Sequence, residues 1–239
     1  FDAIIVGGGL AGCTAAYVLA KAGCEVVVIE RGPFSGSKNM TGGRLYGHSL
    51  EKVIPGFAET APVERVITKE RLSFLTETEG TTVDYTNPAL SDPTCASYAV
   101  LRAPFDQWLA EQAEGEGAMF VNEIRVDDLI VEDGRVRGVR AGDDDMYARV
   151  TILADGAVSL LGQKLGMVPK LDPHKYAVAA KETIQLDEKT VSDRFGVVPG
   201  EGCAWLFVGD PTHGHIGGGF LYTNKDSVSL GVVTTIGDI

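Results

Sequence analysis

The sequence lacks the features that mark several large classes of protein. Its 239 residues contain no apolar run that approaches the ~20 residues of a membrane-spanning helix. The 33 acidic residues outnumber the 21 Lys and Arg residues, and the formal net charge is −12. Because a nucleic-acid-binding surface needs clustered Lys and Arg to neutralise phosphates, we predict that nucleic acid is not a partner.

Cysteine is also scarce, with four widely spaced residues and no C-x-x-C pair. Local spacing therefore builds neither a zinc site nor an iron–sulfur cluster. His213 and His215 alternate by two, but no third ligand follows at a suitable spacing, so we predict no metal site. This cysteine usage is typical of a reducing compartment and predicts a cytoplasmic protein.

A glycine-rich turn between two short apolar runs is the most informative feature present. Residues 3–6 (AIIV) predict a buried strand, residues 7–12 (GGGLAG) fit the pattern G-x-G-x-x-G, and residues 13–22 predict a helix. A second apolar run at 26–29 ends on Glu30. This order predicts a βαβ unit that binds a dinucleotide.

Each part of the unit has a physical task. Gly7 permits the tight turn, Gly9 lets the backbone approach a pyrophosphate, and Gly12 lets helix and strand pack closely. The helix N-terminus offers N–H groups and a positive dipole end to the phosphates. Glu30 stands 23 positions after Gly7, where a carboxylate accepts hydrogen bonds from an adenosine ribose.

The chain alternates between sheet and helix patterns, which predicts an α/β fold with a nucleotide-binding sheet interrupted by insertions. A Gly-, Ser- and Asn-rich loop at 32–43 precedes an amphipathic stretch at 44–53. We predict a helix at 105–113 and a β-meander within 123–154.

Nothing after Ala154 predicts a final strand for the first domain, so we expect a C-terminal portion to be missing. The predicted segments are 1–61 and 101–165 for the cofactor-binding domain, and 62–100 and 166–239 for the substrate or quinone domain.

Two further motifs distinguish FAD from NAD. Residues 101–106 (LRAPFD) resemble the R-x-x-F-D segment of glutathione-reductase-type flavoproteins related to aromatic hydroxylases. In that family the arginine heads a helix and reaches the cofactor, where a guanidinium suits phosphate or ribose oxygens. Residues 152–156 (ILADG) resemble the strand-ending A-D-G motif of the same family, which passes close to FAD. The resemblance implies a glutathione-reductase-type FAD-binding domain with an inserted mixed β-sheet domain.

Narrower matches indicate a subfamily. Residues 38–45 (KNMTGGRL), with 54–57 (IPGF), are similar to the flavin-side loop of electron-transfer-flavoprotein dehydrogenases. Residues 217–223 (GGGFLYT) and 229–233 (SLGVV) resemble a segment of their quinone-side domain, and Ala180, Lys181 and Glu182 also fit. The likeness covers essentially the whole chain and is strongest to the Fix-type members.

The resemblance implies bound FAD that takes electrons from an electron transfer flavoprotein and passes them to a quinone, with a ferredoxin-like subunit as a further partner. It does not imply a catalytic triad. It also implies that the protein contacts the cytoplasmic face of the membrane peripherally. Lys38 or Arg44 would stabilise reduced, anionic flavin by Coulomb attraction. The cofactor-binding residues predicted from pattern and resemblance are Gly7, Gly9, Leu10, Ala11, Gly12, Glu30, Arg31, Lys38, Thr41, Gly42, Gly43, Arg44, Arg102, Val126, Ala154, Asp155 and Gly156.

Three alternatives remain open at this point. A geranylgeranyl or prenyl reductase shares the fold, although many of those carry a cysteine where Thr41 stands. An aromatic flavin monooxygenase also shares it. A non-enzymatic interaction subunit or redox-dead fragment would keep the fold without the flavin. Residues 220–222 (FLY) fit either a quinone cleft or ordinary strand core, and core is favoured.

Overall fold

A computed structural model of the chain describes residues 1–40 and 42–239. The strands of these residues, in chain order, are β1 (Ala3–Val6), β2 (Val26–Ile29), β3 (Gly42–Tyr46), β4 (Val63–Leu75), β5 (Gly80–Thr86), β6 (Ser97–Leu101), β7 (Met119–Val121), β8 (Asp128–Glu132), β9 (Arg135–Ala141), β10 (Asp144–Tyr147), β11 (Val150–Leu153), β12 (Ala177–Gln185), β13 (Glu201–Gly209), β14 (Gly217–Thr223) and β15 (Ser227–Thr235). The α-helices are α1 (Leu10–Lys21), α2 (His48–Glu51), α3 (Arg102–Gly115), α4 (Leu160–Lys164) and α5 (Glu188–Phe195). Single 3-10 turns lie at Phe57–Glu59, Pro88–Ser91, Pro173–Lys175, Asp210–Thr212 and Ile236–Asp238.

The chain divides into two compact units, each made of two segments. Unit 1 contains Phe1–Asn39 and Arg102–Lys170, and unit 2 contains Met40–Leu101 and Leu171–Ile239. The predicted segments differ from these mainly at residues 40–61, which group with unit 2. Smaller differences lie at residue 101, which groups with unit 2, and at residues 166–170, which group with unit 1.

Unit 1 is built on a parallel sheet in the order β11-β1-β2-β7. All residues of β1 and β2 are buried, as expected for parallel strands covered on both faces. On one face, Ile4 and Val27 pack with Val139 of the antiparallel sheet β10-β9-β8, which is the β-meander that the sequence predicted. Helices α1 and α3 pack against each other in the same unit.

Unit 2 is built on a mixed sheet in the order β12-β15-β14-β13-β4-β6-β3, and β5 pairs with β4. β4 and β13 run parallel, whereas β14 is antiparallel to both β13 and β15. Helix α5 is preceded by its N-cap residue Asp187, whose side chain accepts a hydrogen bond from the Thr190 N–H at 2.8 Å. Its Val191 and Phe195 pack with Cys203 and Val228 of the sheet.

A buried arginine ties the elements of unit 2 together. Arg65 on β4 is 1% exposed. Its guanidinium donates to Asn224 O at 2.6 Å, Lys225 O at 2.9 Å, Glu201 O at 3.0 Å, Ser192 Oγ at 3.1 Å and Glu188 O at 3.3 Å. One side chain thereby satisfies acceptors on α5, β13 and the β14–β15 turn, as burial of a charged group requires.

The structure adds two local details to the sequence predictions. The stretch predicted as amphipathic at 44–53 begins as strand, because β3 pairs antiparallel with β6 from Gly42 with Leu101 to Tyr46 with Ser97. Only the one-turn α2 remains helical there. Helix α3 begins at Arg102, three residues earlier than predicted, so the motif arginine is the first residue of the helix.

Candidate cofactor site

Two glycines of the turn after β1 are required by the fold itself. Gly7 has a φ of +105°, and a Cβ there would lie 2.4 Å from the Ala154 carbonyl oxygen. A Cβ on Gly12 would lie 1.9 Å from the Gly7 carbonyl oxygen and 3.3 Å from a methyl group of Ile5. Any side chain at either position would force strand, turn and helix apart.

Gly9 differs from both neighbours. Apart from Gly9 itself and its two chain neighbours, no heavy atom of the described residues lies within 4 Å of the position that its Cβ would take. Its backbone is extended, with a φ of −82°, a conformation open to any residue, and it is the N-cap of α1 without a side-chain capping bond. The fold therefore leaves a cradle of open space beside the first N–H groups of α1, where a phosphate would meet donors and the positive end of the helix dipole.

Glu30 is fixed by the turns on both sides of it. Its Oε2 accepts the Gly8 N–H at 2.8 Å, and its Oε1 accepts the Gly32 N–H at 2.6 Å. A carboxylate offers about four acceptor positions, so two backbone bonds orient the group without exhausting it. The residue that follows, Arg31, is exposed.

The A-D-G motif lies beside the same turn. Ala154 follows β11 and donates its N–H to the Val6 carbonyl at 2.9 Å. Asp155 accepts the Leu161 N–H at the start of α4 at 3.4 Å, and Gly156 has a φ of +85°. The motif thus sits at the carboxyl edge of the parallel sheet, which is where α/β sheets bind ligands.

Arg102 is held by a bidentate ion pair within α3. Its Nε and Nη2 donate to the two carboxylate oxygens of Asp106 at 2.7 and 2.8 Å. The Arg102 side chain is 23% exposed, whereas that of Asp106 is fully buried. The Asn39 side-chain amide also donates to Asp106.

Sequence reasoning missed Ser35, Gly36 and Asp106. A Cβ on Gly8 would lie 2.6 Å from Ser35 Oγ, and a Cβ on Gly36 would lie 2.7 Å from Asp106 Cβ. These contacts connect the glycine turn to α3 through the loop after Glu30. The aspartate of the R-x-x-F-D segment was the available signal, since an acid four residues after an arginine on a helix faces it.

The loop after β2 carries the remaining predicted residues. Lys38 is exposed and forms no ion pair among residues 1–40 and 42–239. Thr41 lies outside the described residues. In unit 2, Gly42 begins β3 and Gly43 approaches Tyr222, whose ring would lie 3.7 Å from an added Cβ.

Arg44 and Val126 already have partners within their own units. Arg44 donates to Glu70 and to Ser97, each at 2.7 Å, and its guanidinium lies 4.7 Å from the centre of the Tyr46 ring. The partly buried Val126 packs against the apolar cluster between the two sheets of unit 1.

Unit 2 also contains an apolar groove of about 490 Å³ on its sheet. Its lining residues are Leu75, Ala180, Lys181, Glu182, Phe207, Pro211, Gly219, Leu230, Gly231 and Val232. Burial lowers the pKa of Lys181, the basic residue in this lining.

The FLY segment divides between the two faces of its strand. Leu221 packs with the α5 cluster, and Tyr222 packs with Ile67, Ala99 and Ala204. Both are half-buried. The contacts of these two residues fit the interpretation that the segment belongs to the strand core, which the sequence favoured.

The two histidines lie at a turn. His213 adopts a left-handed conformation, and His215 Nδ1 lies 3.6 Å from Asp238. Across the described part of the chain, no three His, Cys, Asp or Glu side chains are placed to hold a metal ion together. None of the described helices combines the length and apolar character needed to cross a bilayer.

Known proteins resemble this chain both in sequence and in fold. Residues 2–87 match the family model described as FAD dependent oxidoreductase. The chain is 57% identical over 239 residues to the protein of Escherichia coli K12 named probable electron transfer flavoprotein-quinone oxidoreductase YdiS, covering all of this chain and 56% of that protein. The similarity to YdiS extends over the whole of this chain. Protein FixC of the same organism is 54% identical over 233 residues, covering 98% of this chain and 54% of FixC.

These matches confirm the predicted resemblance, and the family model confirms FAD as the cofactor predicted from the motifs. The chain spans about half the length of the curated relatives it matches.

Solved structures confirm the fold class. A geranylgeranyl bacteriochlorophyll reductase-like protein from Thermoplasma acidophilum superposes with a TM-score of 0.77 at 22% identity, covering 99% of this chain and 57% of that one. The myxobacterial chondrochloren halogenase CndH, described as a variant of FAD-dependent halogenases, gives a TM-score of 0.76 at 22% identity, covering 98% of this chain and 53% of that one. At this identity the likeness establishes the α/β fold with its mixed sheet and nothing finer.

Proposed function

We propose that this chain forms the FAD-binding part of an oxidoreductase that accepts electrons from an electron transfer flavoprotein and passes them to a quinone. The observation that carries the proposal is the 57% identity to YdiS, which extends over all 239 residues. The prenyl reductase and monooxygenase alternatives are supported by likeness of fold alone.

Unit 1 supplies the groups that would hold the adenosine diphosphate half of FAD. We assign the pyrophosphate to the cradle at Gly9, where Leu10 and Ala11 at the helix N-terminus present N–H groups. We assign the ribose hydroxyls to Glu30, whose carboxylate is already oriented by two backbone bonds. Arg102 would donate to phosphate or ribose oxygens with the guanidinium N–H groups that Asp106 leaves free.

FAD supplies the electron-carrying ring, and the protein sets its orientation and electrostatics. Lys38 would place an uncompensated cation near that ring, whereas the charge of Arg44 is already paired with Glu70. We therefore favour Lys38 over Arg44 as the residue that stabilises the reduced, anionic form. The other residues proposed to line the cofactor are Gly7, Gly12, Arg31, Thr41, Gly42, Gly43, Val126, Ala154, Asp155 and Gly156.

The apolar groove of unit 2 is the proposed site of the quinone. Leu75, Phe207, Leu230 and Val232 offer aliphatic and aromatic surface to a hydrophobic ring. Lys181 in the lining would donate a hydrogen bond to a quinone oxygen.

Finer aspects of the assembly follow from the resemblance. We propose a cytoplasmic protein that contacts the membrane peripherally, where its quinone resides, and that works with a ferredoxin-like subunit. The ferredoxin-like partner and the membrane contact rest on the resemblance of the sequence motifs to Fix-type flavoproteins, and the four widely spaced cysteines fit a reducing compartment.

Anaerobic reduction of the full-length, FAD-loaded protein by reduced electron transfer flavoprotein, followed by addition of a quinone analogue, tests the proposal. We expect bleaching of the flavin band and then its recovery. Val232→Asp in the groove should slow the recovery and leave the bleaching unchanged, whereas Val131→Asp, at a similarly exposed valine of unit 1, should alter neither step.

An absence of bleaching with a competent partner would refute the proposal. Reduction of a geranylgeranyl lipid would favour the reductase instead, and NAD(P)H-driven oxygen uptake with an aromatic substrate would favour a monooxygenase.

A further inference from the structure

We propose that Asp106 is a positioning residue that holds Arg102 in the orientation needed to bind FAD and anchors the loop that carries Lys38. The inference rests on the proposed function, since it assumes that Arg102 contacts the cofactor. The R-x-x-F-D pattern by itself gives no role to its aspartate, Asp106.

The geometry of the pair supports orientation rather than simple neutralisation. Asp106 meets Nε and Nη2 of Arg102 edge to edge at 2.7 and 2.8 Å, which fixes the plane of the guanidinium. Both Nη1 hydrogens and one on Nη2 remain available for another acceptor. The exposed fraction of 23% belongs to Arg102 alone, so the free side of the pair is the arginine side.

The surroundings of Asp106 hold its own carboxylate in place. Its side chain is inaccessible to solvent, and the Gly36 backbone packs so closely that a Cβ there would come within 2.7 Å of Asp106 Cβ. Burying a carboxylate costs free energy unless the group is paired and hydrogen-bonded. Loss of either partner of Asp106 is therefore strongly unfavourable.

One of those partners is Asn39, whose amide donates to the same carboxylate. Asn39 follows Lys38 directly and ends the first segment of unit 1. The Asp106 carboxylate therefore joins the start of α3 to the loop after β2. A change at Asp106 would release the arginine and the lysine loop together.

FAD titration of the apo form of the full-length protein, followed by quenching of flavin fluorescence, tests the inference in a double-mutant cycle. We expect Asp106→Asn to raise the FAD dissociation constant about tenfold or more, as loss of one partner of a buried charge pair does in binding sites. In an Arg102→Ala background the same substitution should raise the dissociation constant by a clearly smaller factor, because only the anchoring of the Asn39 loop is then left to lose. The matched control is Asp145→Asn, which breaks a bidentate pair of the same geometry with Arg140 in the meander and should leave FAD binding unchanged.

A conservative variant keeps the test decisive if Asp106→Asn folds poorly. Arg102→Lys retains the positive charge but cannot form the bidentate pair, so we expect it to weaken FAD binding as Asp106→Asn does. Wild-type affinity in Arg102→Lys, or an equal loss from Asp106→Asn with and without Arg102, would overturn the positioning role while leaving the proposed function intact. Failure of the wild-type protein to bind FAD would overturn both.

Discussion

The three glycines of the turn after β1 permit a matched experiment in which one substitution has opposite consequences at neighbouring positions. Alanine at Gly12 would place its Cβ 1.9 Å from the Gly7 carbonyl oxygen, and alanine at Gly7 would meet the Ala154 carbonyl at 2.4 Å with a φ of +105°. Both contacts are with backbone, which cannot rotate away. We expect each to lower the free energy of unfolding of the apo protein by about 3 kcal/mol or more, at the upper end of overpacking.

Alanine at Gly9 should behave differently, because its Cβ would meet no described heavy atom within 4 Å other than those of its two chain neighbours. Replacing glycine by alanine at an N-cap costs up to about 1 kcal/mol, so the apo protein should remain folded. If the methyl group displaces the pyrophosphate from the helix N-terminus, two charge-assisted hydrogen bonds are lost. At about 1.5 kcal/mol each, their loss weakens FAD binding by about a hundredfold.

Chemical denaturation of the apo variants and FAD titration measure the two quantities separately. The expected pattern is intact stability with lost affinity for Gly9→Ala, and lost stability for Gly7→Ala and Gly12→Ala. The more severe Gly9→Val should abolish FAD retention altogether. Wild-type FAD affinity in the Gly9 variants would contradict our placement of the cofactor, whatever their stability.

Other predictions address the remaining contacts. Arg65→Met should lower the free energy of unfolding by about 3 kcal/mol or more, because it leaves several buried acceptors without a donor. The FAD affinity of the folded molecules should not change. A change in both quantities would assign Arg65 to the cofactor site. Burial raises the pKa of the Cys13 thiol to about 12 and that of Cys203 to about 11, so a maleimide at pH 8 should label exposed Cys95 in the native protein and reach those two only after unfolding, as peptide mass mapping would reveal. The same shifts predict falling stability as pH rises above 9, where the unfolded thiols ionise first. Glu30→Gln should weaken FAD binding about tenfold, since a neutral amide replaces a charged acceptor at the ribose; unchanged affinity by calorimetry would argue against that contact.

The nucleotide-binding unit could be predicted closely from the sequence because its information is local. The apolar runs that form β1 and β2 flank a turn in which Gly7 and Gly12 have no sterically acceptable replacement, so composition and spacing alone specify strand, turn and helix. The position of Glu30 could be predicted for the same reason, since the end of β2 places this residue at the carboxyl edge of the sheet. The A-D-G motif is distant in sequence, yet it ends a strand that pairs with β1 and so arrives at the same edge.

The side-chain partners that complete the candidate site could not be predicted in this way. Arg44 looked like a free cation because its partners, Glu70 and Ser97, lie 26 and 53 positions away and meet it only through the pairing of β3, β4 and β6. Asp106 and Asn39 are 67 positions apart, and nothing in either segment alone indicates that they touch. Such contacts decide which charges are left over to act on a cofactor. A motif therefore predicts where a cofactor would bind, whereas the charges around that position depend on partners that only the folded chain brings together. For this reason Lys38, rather than Arg44, is the cation to test.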